Sequence, residues 1–308
     1  TATADTQITL VGVGLATISE SKTLSESSPT VHAYLGKLAD VTAQSQPGGL
    51  VTLHAGSTAK ATSLARSLNV AAGVSMDVSD VKAKVAPDVS AFTEAGGQIE
   101  AANVSIVSES STEVDATMDA SGGGLIASSG VTSTAMLDST NAAFVGSGTT
   151  IEAIEDFTLR SDSIHVAEAT TTNGSGGLVA INKADAKTVV DDDTKTEVQS
   201  GAKIRAGESL FIDSALTVTA DAIATINNGG LVASPDSNAL TEVDVGAMTM
   251  LGNKINLDGK HVTIRAIVRE LDADSEAKSA VGAAVPLATA NAKTDANSIS
   301  TVVLSGMN

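Results

Sequence analysis

The tripeptide Gly-Gly-Leu recurs with its leucine at Leu125, Leu178 and Leu231, two intervals of 53 residues each. A further step of 53 reaches Ala284 in "VGAAVPLATA", and a step of 53 back from Leu125 reaches Ala72 in "NVAAGVSMD". The first copy, "GVGLATIS" at Leu15, lies 57 residues before Ala72, with "QSQPG" (Gln44 to Gly48) as the candidate insertion. A spacing this constant confines the chain to architectures in which one unit stacks on the next.

A second block keeps the same phase: "GGQIEAANVSIVSE", "GTTIEAIEDFTLRS", "GAKIRAGESLFIDS" and "GNKINLDGKHVTIRA". Ile99, Ile151, Ile204 and Ile255 recur in it, as do the pairs Val104/Ile106, Phe157/Leu159, Leu210/Ile212 and Val262/Ile264. Val51 and Leu53 hold the matching places in an earlier copy. The chain therefore reads as one continuous array over 1–308, with copies near 15–71, 72–124, 125–177, 178–230 and 231–283 and a partial copy at 284–308.

Parity inside the copies identifies the local structure. Before the glycines, Val114, Ala116, Met118 and Ala120 alternate with acidic or polar residues. Ala167/Ala169/Thr171, Ala220/Ala222/Ala224 and Ala273/Ser275/Ala277 do the same. After the glycines, Leu178, Ala180, Ala184 and Ala186 alternate with Lys183, Asp185 and Lys187, and Leu231, Ala233 and Ala239 alternate with Ser234, Asp236 and Asn238. A period of two is that of a β-strand with one dry and one wet face.

Each copy thus predicts two long strands joined at a glycine turn, with every strand paired in parallel to its equivalent in the next copy. The predicted fold is all-β, a parallel β-solenoid (β-helix) with a 53-residue repeat and a flattened cross-section. With one coil per repeat, six coils rise about 29 Å at the inter-strand spacing of about 4.8 Å. Two coils of about 26 residues each are the alternative, disfavoured because the halves of the repeat do not resemble each other. Small dry-face residues near the glycines and larger ones near the Ile and Leu block predict a wedge.

Composition supports a thin core. Apolar residues make up 42% of the 308, but aromatics only 2%, with one Tyr and no Trp. Such a chain packs Ala, Val, Ile and Leu in narrow layers rather than rings in a rounded core. The net charge of -18 and the lack of a basic stripe argue against nucleic acid and anionic lipid as partners. Cysteine is absent, which excludes disulfides and thiolate metal sites. No apolar run reaches the roughly 18 residues of a membrane-spanning helix, so membrane insertion is not expected. The start "TATADTQITL" carries no basic signal-peptide region.

The block "AKIRAGESLFIDSALTV" resembles the repeats of filamentous-haemagglutinin-type secreted proteins. The order of small-residue strand, "GGLVA", Ala/Thr-rich strand, "AYLG" or "AFVG", then the Ile block is similar to the repeats of giant leukotoxin-family filamentous adhesins. It appears as "VHAYLGKLADVTA", "SAFTEAGGQIEAANVSIVS" and "AAFVGSGTTIEAIEDFTLRS". The resemblance implies a secreted or surface-attached β-solenoid shaft used for adhesion, matrix building or filament formation. It implies an extracellular or cell-surface location and supplies no catalytic residues.

Candidate chemistry is sparse. "ITLVGVGLATISES" opens with Gly12-x-Gly14 but lacks the third glycine of a dinucleotide site, and Gly14 and Leu15 fall in the turn column. Asp191, Asp192 and Asp193 form the only dense acidic run. Calcium, which takes six to eight oxygens, is the one cofactor they could hold, but no calcium-repeat spacing accompanies them. His32, His54, His165 and His261 sit in different phases, and His165 aligns with Thr112 and Val218, so they are read as structural. No nucleophile elbow or metalloprotease helix is present, and no catalytic residue is assigned. The sequons at Asn103 and Asn173 are read as marking exposed loops. Gly122, Gly123, Gly176, Gly177, Gly229 and Gly230 are the turn residues expected to matter, where facing strands leave no room for a side chain.

These readings converge on a non-enzymatic structural or adhesive solenoid, part of a longer array or a filament subunit, with copies of itself or adjacent repeats as end-to-end partners. Neither "TQITLVGVGLATI" nor "STVVLSGMN" reads as a cap for an open strand edge. The alternative is a carbohydrate- or receptor-binding adhesin shaft, hinted at by Tyr34, Phe92 and Phe144 in nearby columns. A polysaccharide-acting solenoid enzyme is a third reading, which the near-uniform columns disfavour.

Overall fold

The computed structural model describes residues 1–43 and 48–305. Residues 44–47 of the candidate insertion, and the last three residues of "STVVLSGMN", lie outside the described residues.

Among the described residues the regular structure is all strand, in six successive coils. The first coil holds β1 (Ala2–Ser27), β2 (Thr30–Leu35) and β3 (Asp40–Thr42), and the second β4 (Leu50–Val85), β5 (Asp88–Thr93) and β6 (Gln98–Ala101). The third holds β7 (Asn103–Gly123), β8 (Ile126–Val145) and β9 (Thr150–Ala153), and the fourth β10 (Phe157–Val198) and β11 (Lys203–Ala206). The fifth holds β12 (Ser209–Leu251) and β13 (Asn256–Asp258), and the sixth β14 (His261–Pro286) and β15 (Thr289–Leu304). Every pairing among them is parallel and joins one coil to the next. This is a parallel β-solenoid. Phe157 pairs with Val104 on one side and Leu210 on the other, both 53 residues away, so one coil takes about that length.

The 42 residues of β10 are two arms that fold back face to face. The Thr171 hydroxyl donates to the Asp185 carbonyl at 2.7 Å, Asn173 Nδ2 to the Lys183 carbonyl at 3.1 Å, and Ser161 meets Thr196 at 2.7 Å. All three pairs centre on Leu178, so the chain reverses there as an arch whose arms touch through side chains. A hairpin would instead join its arms by backbone hydrogen bonds. An arm of about 20 residues spans about 66 Å.

The wedge follows from side-chain size. Between the arms the core is rich in alanine, including Ala61, Ala116, Ala169, Ala222 and Ala247. At the far end a separate cluster of Ile99, Ile106, Ile151, Phe157, Leu159, Ile204 and Leu210 holds the arms apart. There the short strands β3, β6, β9, β11 and β13 form a separate, narrow five-stranded sheet. The dry set Val114, Ala116, Met118 and Ala120 is buried, whereas Ala273, Ser275 and Ala277 of the sixth coil are half-exposed for want of a neighbour on one side.

Three expectations change. Leu178 and Leu231 belong to the arch tip rather than the dry face and are 55% and 58% exposed. Ile204 pairs with Leu257, not Ile255, because the 53-residue offset that pairs Val198 with Leu251 continues unbroken and leaves Ile255 two residues short. The first coil is offset by 57 residues at Gly14–Ala71 and 58 at Ala16–Val74, where β4 carries one extra residue as a bulge. The offset is still 58 at Thr42–Glu100 and 53 from Leu50–Asn103, so five extra residues lie between Thr42 and Leu50.

Glycines that need a left-handed backbone form a different column from Gly-Gly-Leu. Gly96, Gly148 and Gly201, with φ of 75°, 65° and 78°, turn the chain into the five-stranded sheet, and Leu38 and Lys254 hold the same left-handed conformation in the first and fifth coils. The arch glycines have no positive φ.

Candidate functional site

The arch glycines act through space along the stack. A Cβ on Gly177 would overlap the Gly124 carbonyl oxygen, and one on Gly230 the Gly177 carbonyl oxygen. A Cβ on Gly229 would meet nothing within 4 Å, and on Gly122, Gly123 or Gly176 only ordinary neighbours. The tight column is therefore Gly124, Gly177 and Gly230. The obstacle is the backbone of the preceding coil rather than the facing arm, so of the six glycines singled out in the sequence only Gly177 and Gly230 are sterically required.

The acidic run does not converge. Alternation sends Asp191 and Asp193 to the outer face and Asp192 into the core, so the calcium reading fails on geometry. Among the described residues no group of three or more His, Cys, Asp or Glu is arranged to hold a metal. Asp192 instead meets His165 across the arch, with His165 Nε2 2.7 Å from Asp192 Oδ1 and Nδ1 2.7 Å from the Thr112 hydroxyl of the previous coil. The neutral tautomer that satisfies both contacts donates from Nε2 and accepts at Nδ1. Thr194 donates to the second Asp192 oxygen and lies 2.6 Å from Ser163, to which Asn141 Nδ2 donates at 3.0 Å. Threonine, histidine and aspartate here have the order of a hydrolytic triad, but both ionisable side chains are fully buried. No substrate reaches them, and the network pins the two arms and two coils together. Parity carried the signal for it: Asp192 shares the dry phase of Ala184, Ala186 and Val190.

A second network was not apparent in the sequence. Asp213 is fully buried on its side chain and receives two hydrogen bonds from Arg265, from Nε at 2.6 Å and Nη2 at 3.1 Å. Arg265 also lies over the Phe211 ring, 5.1 Å from its centre. An extra residue in β14 between the partners of Leu216 and Thr217 brings Arg269 to Asp162, two coils away, at 2.9 Å. These guanidinium groups clamp the fourth, fifth and sixth coils.

Both broad faces carry ladders of acid. Asp115, Glu168, Asp221 and Asp274 stack on one, and Asp138, Asp191 and Asp244, followed by Asn297, on the other. Partial burial and the neighbouring rungs hold the carboxyls of Asp191 and Asp221 above the ordinary aspartate range. Tyr34, Phe92 and Phe144 also form a column, with ring centres 5.3 and 4.4 Å apart and near-parallel planes. The rings cover one another's faces, apart from the outer face of Tyr34 and the face of Phe144 turned towards Glu197 of the next coil. Gly12 and Gly14 lie within β1, where no helix offers an N-terminus to a pyrophosphate. The sequon residue Asn173 is fully buried within β10, not in an exposed loop.

The class defined by these features is a parallel β-solenoid with a buried polar pin and carboxylate-lined depressions on its broad faces, at Asp221, Asp274 and Glu276 and at Asp191, Glu242, Asp244 and Asp295. No family model, curated protein or solved structure matches the chain.

Proposed function

We propose that the chain is a non-enzymatic structural segment of a secreted, extracellular or cell-surface filament, a shaft in which coils continue along one axis. The observation that supports this reading is the state of the outermost strands. Among the described residues β1 pairs only with β4, and β14 and β15 only with β12, leaving a full row of backbone donors and acceptors open at each end. The inward-facing residues of β14 keep the columns of β12 but are half-exposed, whereas Ala220, Ala222 and Ala224 beneath them are buried. Open parallel edges with matched columns are templates for another coil, from the same polypeptide or from a second copy. Electron microscopy tests this. Rods lengthening along the coil axis are expected, and compact monomers at high concentration would count against it.

An adhesive shaft that binds glycan or a receptor is the second reading, favoured by the Tyr34 column. Retention on a glycan array that is lost in Tyr34→Ala would support it.

A further inference from the structure

Many exposed apolar side chains lie on the outermost coils, but one set runs through the whole stack. At the arch the paired column Ala16, Val74, Ile126, Val179, Val232 and Val285 is aliphatic in all six coils. Beside it stand Leu125, Leu178 and Leu231, more than half exposed although each lies in an inner coil with neighbours above and below. Their exposure is lateral and does not arise from the open ends.

The same edge is free of charge. Residues 6–19, 67–76, 120–137, 169–182, 222–235 and 279–292, one window per coil, contain no Asp, Glu, Lys or Arg in a chain with 36 acidic and 18 basic residues. Charged residues bound every window: Asp5 and Glu20, Arg66 and Asp77, Asp119 and Asp138, Glu168 and Lys183, Asp221 and Asp236, Lys278 and Lys293. Stacking turns the windows into an uncharged apolar ridge along the thin edge, while the broad faces carry the carboxylate ladders.

We propose that this ridge pairs laterally with the same ridge of a second copy, so that two solenoids associate edge to edge. With a net charge of -18, copies repel each other wherever the acidic faces approach. The arch edge is the approach on which that repulsion is weakest and apolar area is removed from water. A ridge with a repeat of about 4.8 Å has its best geometric match in itself, the condition for an isologous contact. Size sets the strength. Six coils about 29 Å tall and one sheet spacing of about 10 Å wide offer about 290 Å² per partner, against about 800 Å² in a standard stable interface. A six-coil segment therefore pairs weakly, and the contact strengthens in proportion to the number of coils. This contact is separate from axial stacking, in which equivalent arch residues of successive six-coil copies lie about 29 Å apart.

The chain has no cysteine, so Leu178→Cys introduces a single thiol at the middle of the ridge. Under mild oxidation it is expected to form a disulfide dimer at least about tenfold faster than Glu168→Cys on the broad face, the gain from raised effective concentration. The rate should rise with salt, as screening relieves repulsion, and fall to the control level when Leu125→Asp and Leu231→Asp are added. Equal rates at the two cysteine positions would overturn the proposal. So would a Leu178→Cys protein that stays monomeric while the unmodified chain co-sediments with neutral phosphatidylcholine vesicles and Leu231→Asp abolishes that binding. Axial rods of the Leu178→Cys protein that hold no disulfide-linked dimers would overturn lateral pairing and leave the filament reading intact.

Discussion

Adjacent glycines at the arch have opposite tolerances. Gly230→Val forces a side chain into the Gly177 carbonyl and is expected to cost about 1–3 kcal/mol, the scale of overpacking, whereas Gly229→Val points into open space and should stay within about 0.5 kcal/mol. Urea unfolding of the two variants checks the difference. The left-handed column gives the reverse case: Lys254→Gly removes the strain of a φ of 54° and should stabilise by about 1 kcal/mol. Gly148→Ala, with no neighbour for its Cβ, should lose about as much through backbone strain alone. The pin at His165 is the costly site. Asp192→Ala leaves the imidazole N–H and the Thr194 hydroxyl without their buried acceptor and should cost about 2–4 kcal/mol, at about 1–3 kcal/mol for each unsatisfied donor, read by thermal melting. A Gly-Gly pair in the sequence marks an arch, but which glycine faces backbone depends on how far one coil is displaced from the next. That displacement is a relation between successive coils and is not written in the pair itself.

Strand parity is the level at which the sequence was most readable. The alternation around Ala116, Ala169 and Ala222 located both faces of the arms, and the same phase carried Asp192 inward. Parity fails at the arch tip, where consecutive residues both point outward, and so it misplaced Leu178 and Leu231. The stacked acids make a prediction for the arms. Asp191 and Asp221 have folded-state pKa values above their unfolded ones, so the folded chain binds these protons more tightly. Their repulsion is fully present at neutral pH and is relieved as pH falls through the raised values towards the unfolded value near 3.8. At low salt the melting temperature should therefore rise on mild acidification. Asp221→Asn should capture part of that gain at neutral pH, a few tenths of a kcal/mol on the scale of exposed pairs, and added salt should erase the difference. A melting temperature at low salt that falls as the pH is lowered from neutrality through the raised values of these two groups would contradict this account.

The whole molecule is a stack in which each coil's backbone hydrogen bonds run along the axis. Circular dichroism should show β-structure without helix, and oriented samples should reflect near about 4.8 Å along that axis. A helical spectrum would refute the fold. A coil this flat, with arms of about 66 Å, buries little apolar area per residue between arms lined with alanine. Polar pins such as His165–Asp192 and Asn141–Ser163 therefore add to register between the arms, and the guanidinium clamp at Asp213 adds to it beside the larger side chains of Leu210 and Ile212.

The amino-acid sequence by itself determined the strands, their parallel stacking, the wedge and the thin alanine core. Those features depend on period and residue size, both of which are local and repeat from copy to copy. Only the tertiary structure decided that Asp192 belongs to His165, that Arg269 reaches Asp162, that Gly177 and Gly230 touch carbonyls while Gly229 does not, and that the arch leucines form an exposed ridge. These depend on the distances between residues on facing arms and successive coils, which are fixed by the hydrogen-bonded register and the curvature of the arch.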